Sequence, residues 1–181
     1  FNKDWKFVLK DSAHYSYTSY VPGDEWKKVN LPHDWSVGLP YDSISGEGCV
    51  AFLQGGIGWY SKSFPTTISA NQKCYIVFDG VYNNSEYWIN GKKLGYHLSG
   101  YAPFYFDVTD YLNPNEDNRM TVRVDHSHYA DSRWYTGSGI YRDVKMIVTD
   151  RLHIPVWGTF VTTPVVTDKY AKVNNQVTVC N

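Results

Sequence analysis

Residues 131–144 read DSRWYTGSGIYRDV. The stretch sets an Arg-Trp-Tyr cluster against Gly137, Ser138 and Gly139, then runs into an alternating segment. Three uses fit these types: a catalytic loop, a platform for the C–H face of a pyranose, or a tight corner in a β fold. Trp and Tyr bring a large apolar body and a polar tip. Glycine lets the backbone bend sharply and approach a neighbour closely. A second pairing lies in LPHDW, residues 31–35, where Asp34 precedes Trp35. Asp34 either caps a turn or offers a carboxylate; Trp35 either fills a core or offers a ring. His126 and His128 stand two apart on an extended segment, so their side chains share a face. That spacing suits a metal pair, but no third ligand lies nearby, and a polar edge is the better reading. No metal and no cofactor is expected. Cys49, Cys74 and Cys180 fit no zinc or redox spacing, and their odd number speaks against a disulfide framework.

The elements that must position these residues are strands. Helical periodicity is nearly absent over the 181 residues. Period-two segments recur instead: 5–9, 59–64, 74–78, 85–90, 104–108, 120–124 and 141–148. Turn signals separate them, and Asn90-Gly91 is the strongest, because a type I′ hairpin turn needs positive φ at both central residues. GKK at 91–93 reads as a short charged turn. Many short strands with turns between them mean a β-sandwich or jelly roll. Trp59 and Tyr60 then point to opposite faces of one sheet. Residues 31–57 break the pattern as a long irregular excursion rich in Gly, Pro and aromatics, a length that in a compact domain usually carries function. Beyond residue 151 only two strands follow, around a polar turn, and two strands cannot bury a core. Residues 152–181 therefore read as the start of a second β domain.

Composition narrows the function. The chain is 43% hydrophobic and 17% aromatic, with 16 Tyr and 7 Trp, which suits a sandwich core and sugar recognition alike. The net charge of −1, without a basic block, argues against a nucleic-acid partner. No apolar run reaches the roughly 18–20 residues that span a bilayer, so no membrane partner is expected.

LPHDW (31–35), GGIGWYSKSF (55–64), the 78–112 segment with FDGV and YWING, and SRWYTGSGIYRDV (132–144) occur in an order that resembles glycoside hydrolase family 2. The chain looks like that family's N-terminal sugar-binding domain, most nearly that of bacterial β-galactosidases. The resemblance implies a jelly-roll β-sandwich with a galactose-binding-domain-like fold over residues 1–151. It also implies that 152–181 are the first strands of an immunoglobulin-like domain. Family chemistry uses two glutamates, as acid/base and nucleophile, on a (β/α)8 barrel further along the chain. A retaining mechanism holds them about 5 Å apart. The four glutamates here, Glu25, Glu47, Glu86 and Glu116, sit in no such motif, so this stretch alone is expected to be inactive. The partners implied are a β-galactoside or related carbohydrate and the chain's own downstream domains. Substrate-contact candidates are Asp34, Trp35, Asp131, Arg133 and Trp134, with the 131–139 loop reaching the sugar pocket. Three rivals are the same domain of a β-glucuronidase or β-mannosidase, a free-standing carbohydrate-binding module, and a purely structural domain whose exposed aromatics dock onto neighbours. Relatives from gut bacteria are often exported, which points to the periplasm or the extracellular space.

Overall fold

The structure is a computed structural model that describes residues 1–17, 20–44, 48–66, 68–128 and 134–181. Among these residues there is no α-helix, and four short 3-10 turns accompany eleven strands. The strands are β1 (Trp5–Leu9), β2 (Lys27–Val29), β3 (Gly56–Pro65), β4 (Gln72–Phe78), β5 (Ser85–Ile89), β6 (Lys92–His97), β7 (Phe104–Asp107), β8 (Asp117–His126), β9 (Val144–Asp150), β10 (Thr159–Val166) and β11 (Ala171–Val177). One antiparallel sheet runs β2-β1-β3-β8-β5-β6, and a second runs β7-β4-β9. Their inner faces meet in one core. Trp5, Phe7, Tyr60, Tyr87, Ile89, Met120, Val122 and Val124 come from the first sheet; Cys74, Ile76, Phe78, Phe104 and Val144 come from the second. The fold is all-β, a jelly-roll type of sandwich, as the alternation in the sequence implies.

Asn90 (φ +51) and Gly91 (φ +77) make the expected hairpin turn between β5 and β6. Lys92 and Lys93, expected as part of a turn, instead open β6. β6 is an edge strand, where lysines keep the ladder soluble and cost little burial. β2 is a three-residue edge strand that carries almost no alternating apolar signal.

Trp59 and Tyr60 do face opposite ways. Tyr60 lies in the main core, whereas Trp59 joins Val8, Tyr15 and Trp26 in a second cluster on the outer face. The segment between β1 and β2 folds over that face, so both sides of β1 and β3 are buried. β10 and β11 form their own ribbon, and nearly all of its residues are exposed, Phe160, Val166 and Val173 among them.

Candidate functional site

The site is a latch between two loops. His33 N–H donates to the Ile140 carbonyl at 2.8 Å, and Trp35 N–H donates to the Ser138 carbonyl at 3.2 Å. LPHDW is thereby tied to TGSGI strand-fashion. On the other side Gly139 and Tyr82 exchange both backbone bonds, at 2.8 and 2.9 Å.

Asp34 clasps the two loops through its side chain. Its Oδ1 accepts from Ser36 N–H and from Ser138 N–H, each at 3.0 Å. Its Oδ2 accepts from the Tyr135 hydroxyl. Partial burial raises the Tyr135 phenol well above its usual range, and the bond to Asp34 with that group's negative charge reinforces the rise. Asp34 therefore does what a turn-capping carboxylate does, but across 104 residues of sequence.

The glycines have local causes. A Cβ at Gly139 would lie 2.2 Å from the Tyr60 hydroxyl and 3.0 Å from the His33 carbonyl oxygen, and its φ is +110°. Gly137 has φ +79°, and a Cβ there would press on Asp34 Oδ2 at 3.1 Å. Both conditions favour a residue without a side chain.

Behind the latch lies a buried hydroxyl network that sequence reasoning did not anticipate. Ser138 is fully buried, and its Oγ is 2.6 Å from Ser36 Oγ and 2.7 Å from His126 Nδ1. Ser36 Oγ donates to the Gln54 carbonyl at 2.6 Å. A serine between two glycines was the available signal, but nothing in the sequence pairs it with Ser36 or His126. The expected His126–His128 face does not form, because β8 ends at His126. There Asp125 Oδ1 takes the N–H and hydroxyl of Ser127, which turns the chain. Among the described residues no three His, Cys, Asp or Glu are grouped to hold a metal.

The candidate residues separate by burial. Trp35 is only 4% exposed; it stacks on Phe7 with centroids 5.5 Å apart and donates its Nε1–H to the Gly55 carbonyl. Its ring is part of the core. Trp134 is 60% exposed and donates its Nε1–H to the Tyr101 hydroxyl at 3.2 Å. Tyr101 in turn meets Tyr82 edge-on, and Tyr82 meets His126 edge-on. Trp134 and Tyr101 thus present exposed rings beside the latch. Asp131 and Arg133 lie outside the described residues. His33 sits between Phe7 and Tyr60, its Nδ1 2.8 Å from the Tyr60 hydroxyl. Burial lowers its pKa, and the Asp34 charge opposes that in part.

No pair of glutamates stands ready for glycosidic chemistry among the described residues. Glu86 is ion-paired with Lys93 and Arg123, and Glu25 accepts from the Tyr20 hydroxyl.

Comparison with known proteins follows these geometric lines. The family described as glycosyl hydrolases family 2, sugar binding domain, matches residues 2–150. The β-galactosidase BoGH2A of Bacteroides ovatus is 42% identical over 184 residues, covering 100% of this chain and 21% of that protein. A putative β-glucuronidase of Formosa agariphila is 40% identical over 167 residues, covering 91% of this chain and 16% of that protein. A crystal structure of a family 2 member from Bacteroides cellulosilyticus superposes with a TM-score of 0.87 at 38% identity, covering 97% of this chain and 23% of that one. The chain thus spans about a fifth of the length of these relatives. With the sandwich, the matched motifs and the length of the match together, the chain belongs to the sugar-binding-domain family of the family 2 glycosyl hydrolases.

Proposed function

We propose that this chain is the non-catalytic N-terminal sugar-binding domain of a retaining β-galactosidase that hydrolyses terminal β-galactosides. In this reading the catalytic glutamates lie on a (β/α)8 barrel further along the parent chain, and the latch loop shapes the substrate pocket from outside that barrel. Residues 152–181 are then the first strands of an immunoglobulin-like domain, and the exposed apolar residues of β10 and β11 await its remaining strands. One observation carries the proposal. Two bonds to Asp34, from Tyr135 and Ser138, tie down the 134–139 loop while leaving Trp134 60% exposed beside Tyr101. A rigid loop with a free indole face is suited to positioning a sugar, and binding energy away from the reacting bond serves orientation. Asp131 and Arg133 remain candidates on the same loop.

The similarity to a β-galactosidase supports the galactoside reading. The putative β-glucuronidase at 40% identity favours a second one, in which the same domain serves a glucuronidase. The test is steady-state kinetics of the full-length enzyme on nitrophenyl β-galactoside and β-glucuronide, with Trp134→Ala and Asp34→Ala variants. We expect turnover of the galactoside and a raised KM in both variants. Unchanged kcat and KM in both would sink the pocket-shaping role, and turnover of the glucuronide alone would replace the substrate.

A further inference from the structure

Among the described residues, the segment after β1 covers the outer face of the six-stranded sheet over β1 and β3 and reaches onto β8. Tyr15 and Trp26 pack over Trp59 on the β1–β3 side. Among the described residues no such cover lies over β5 and β6, and the register from β8 outward places chemistry in one row. Val8 pairs with Trp59, Trp59 with Arg123, Arg123 with Glu86, and Glu86 with Tyr96. Trp88 and Lys93 stand opposite each other in the next row on the same face. Trp88 stacks on Trp59 with centroids 5.3 Å apart and planes 24° apart, so its ring is held in place.

The polar groups of the face are fixed by one another. Arg123 Nη2 bonds Asp125 Oδ2 at 3.1 Å and Asp11 Oδ2 at 3.3 Å, and Nε bonds Asp11 Oδ1 at 3.2 Å. Its Nη1 reaches Glu86 Oε1 at 3.4 Å. Lys93 holds the other Glu86 oxygen. Burial works to raise the Asp125 carboxyl, but the bonds from Ser127 and the Arg123 charge outweigh it and keep the group ionised below its usual range. A cleft of about 230 Å3 opens here, lined by Glu86, Lys93, Tyr96, Leu98, Arg123 and Asp125. Two carboxylates balance two cations in that lining, and Asp11 on Arg123 adds one negative charge beside it, so the cleft offers no surplus cation to an anionic ligand. Asp125 Oδ1 is filled by the N–H and hydroxyl of Ser127, but Asp125 Oδ2 and both Glu86 oxygens each take one cation and keep a second acceptor site in a fixed position. Tyr96 is 67% exposed and gives an apolar ring with a polar tip at the rim.

Fixed charged acceptors and donors around a neutral lining, with a flat ring beside them, match a ligand that both donates and accepts hydrogen bonds and has an apolar C–H face. From this juxtaposition we propose a second carbohydrate site on the outer face of β5, β6 and β8, which takes a neutral glycan chain. It is separate from the latch loop and does not rest on the galactosidase reading. Sugar hydroxyls would bridge Glu86, Arg123 and Asp125 through charge-assisted bonds, which are stronger than neutral ones, while the Tyr96 ring carries the pyranose.

Affinity electrophoresis of the protein in gels containing soluble galactan, xyloglucan or galactomannan tests this, with polygalacturonate as the charged control. We expect retardation in at least one neutral polysaccharide, none that is confined to polygalacturonate, and loss of the retardation in Tyr96→Ala and in Glu86→Gln. Tyr96 is exposed, so its truncation leaves the fold intact, and matching melting temperatures verify that. Three results overturn the proposal. One is no retardation in any of the neutral gels. Another is retardation that survives both variants, or that Trp134→Ala removes while Tyr96→Ala does not, which would move binding to the latch loop. The last is a concentration-dependent dimer that Tyr96→Ala dissolves with no glycan effect, which would make the face a contact between copies of this chain.

Discussion

Removing the Asp34 carboxylate tests the latch directly. In Asp34→Ala the N–H groups of Ser36 and Ser138 lose their acceptor, and those residues are 2% and 0% exposed. An orphaned buried donor costs about 1–3 kcal/mol, so two of them cost roughly 3 kcal/mol or more. Tyr135 is 40% exposed, and its hydroxyl can turn to water, so it adds little. For a chain of this size about 3 kcal/mol lowers Tm by roughly 6–12 °C. Asp34→Asn keeps an Oδ1 for both N–H groups, loses the charge that strengthens them, and replaces Oδ2 by an NH2 toward which the Tyr135 hydroxyl must turn to accept. It should cost about 1 kcal/mol, or roughly 2–4 °C. Thermal melts followed by near-ultraviolet circular dichroism, with urea midpoints as a check, measure both. If the alanine variant melts within about 2 °C of wild type, the two N–H groups find other acceptors and the latch is not structural. If asparagine is as damaging as alanine, the charge and not the pair of accepted bonds holds the loops together.

Gly139→Ala should destabilise by about 2–4 kcal/mol, because its Cβ meets the buried Tyr60 hydroxyl at 2.2 Å with φ at +110°. Gly38→Ala, where no atom lies within 4 Å of the new Cβ, should stay within about 0.5 kcal/mol of wild type; equal Tm losses in the two variants would contradict the steric account. The Asp11 carboxyl is lowered, chiefly by its bond to Arg123, and the Asp125 carboxyl is lowered too. A depressed folded pKa confers stability that is present above the ordinary value of 3.8 and is lost as pH falls through the folded value. The stability gap between wild type and Arg123→Met should therefore be open at pH 6 and close progressively below about pH 4; a gap that is constant down to pH 2 would argue against the ion network. Cys74 is fully buried, and burial pushes its thiol up to about 11, whereas Cys49 and Cys180 are exposed. Thiol titration of the folded protein at pH 8 should count two reactive groups, rising to three in denaturant, and three in the folded state would refute the burial of Cys74.

The strand pattern was legible because alternation reports burial directly. WKFVL coincides with β1, and the Asn90-Gly91 turn is where its conformational demand placed it. β2 was not legible, since three residues of a charged edge strand leave no periodic signal. Nor were the bounds of the ribbon's second strand, Ala171–Val177, because both faces of that ribbon are exposed and alternation carries no information there. LPHDW and TGSGI, two of the flagged motifs, lie against each other. Which of their aromatic residues are core and which are surface was decided by tertiary packing. Trp35 and Trp134 are the same residue type in two flagged motifs, yet one is stacked into the core on Phe7 and the other stands in solvent on Tyr101. The sequence by itself determined an all-β sandwich and its Asn90-Gly91 hairpin, because those follow from local periodicity and turn chemistry, and the order of its motifs carried the resemblance to its family. Only the tertiary structure decided that Asp34 clasps a loop a hundred residues away, that Ser36, Ser138 and His126 share one buried network, and that an aromatic and ionic row crosses four strands. Those arrangements depend on sheet register, which pairs residues by position across strands and leaves no trace in their spacing along the chain.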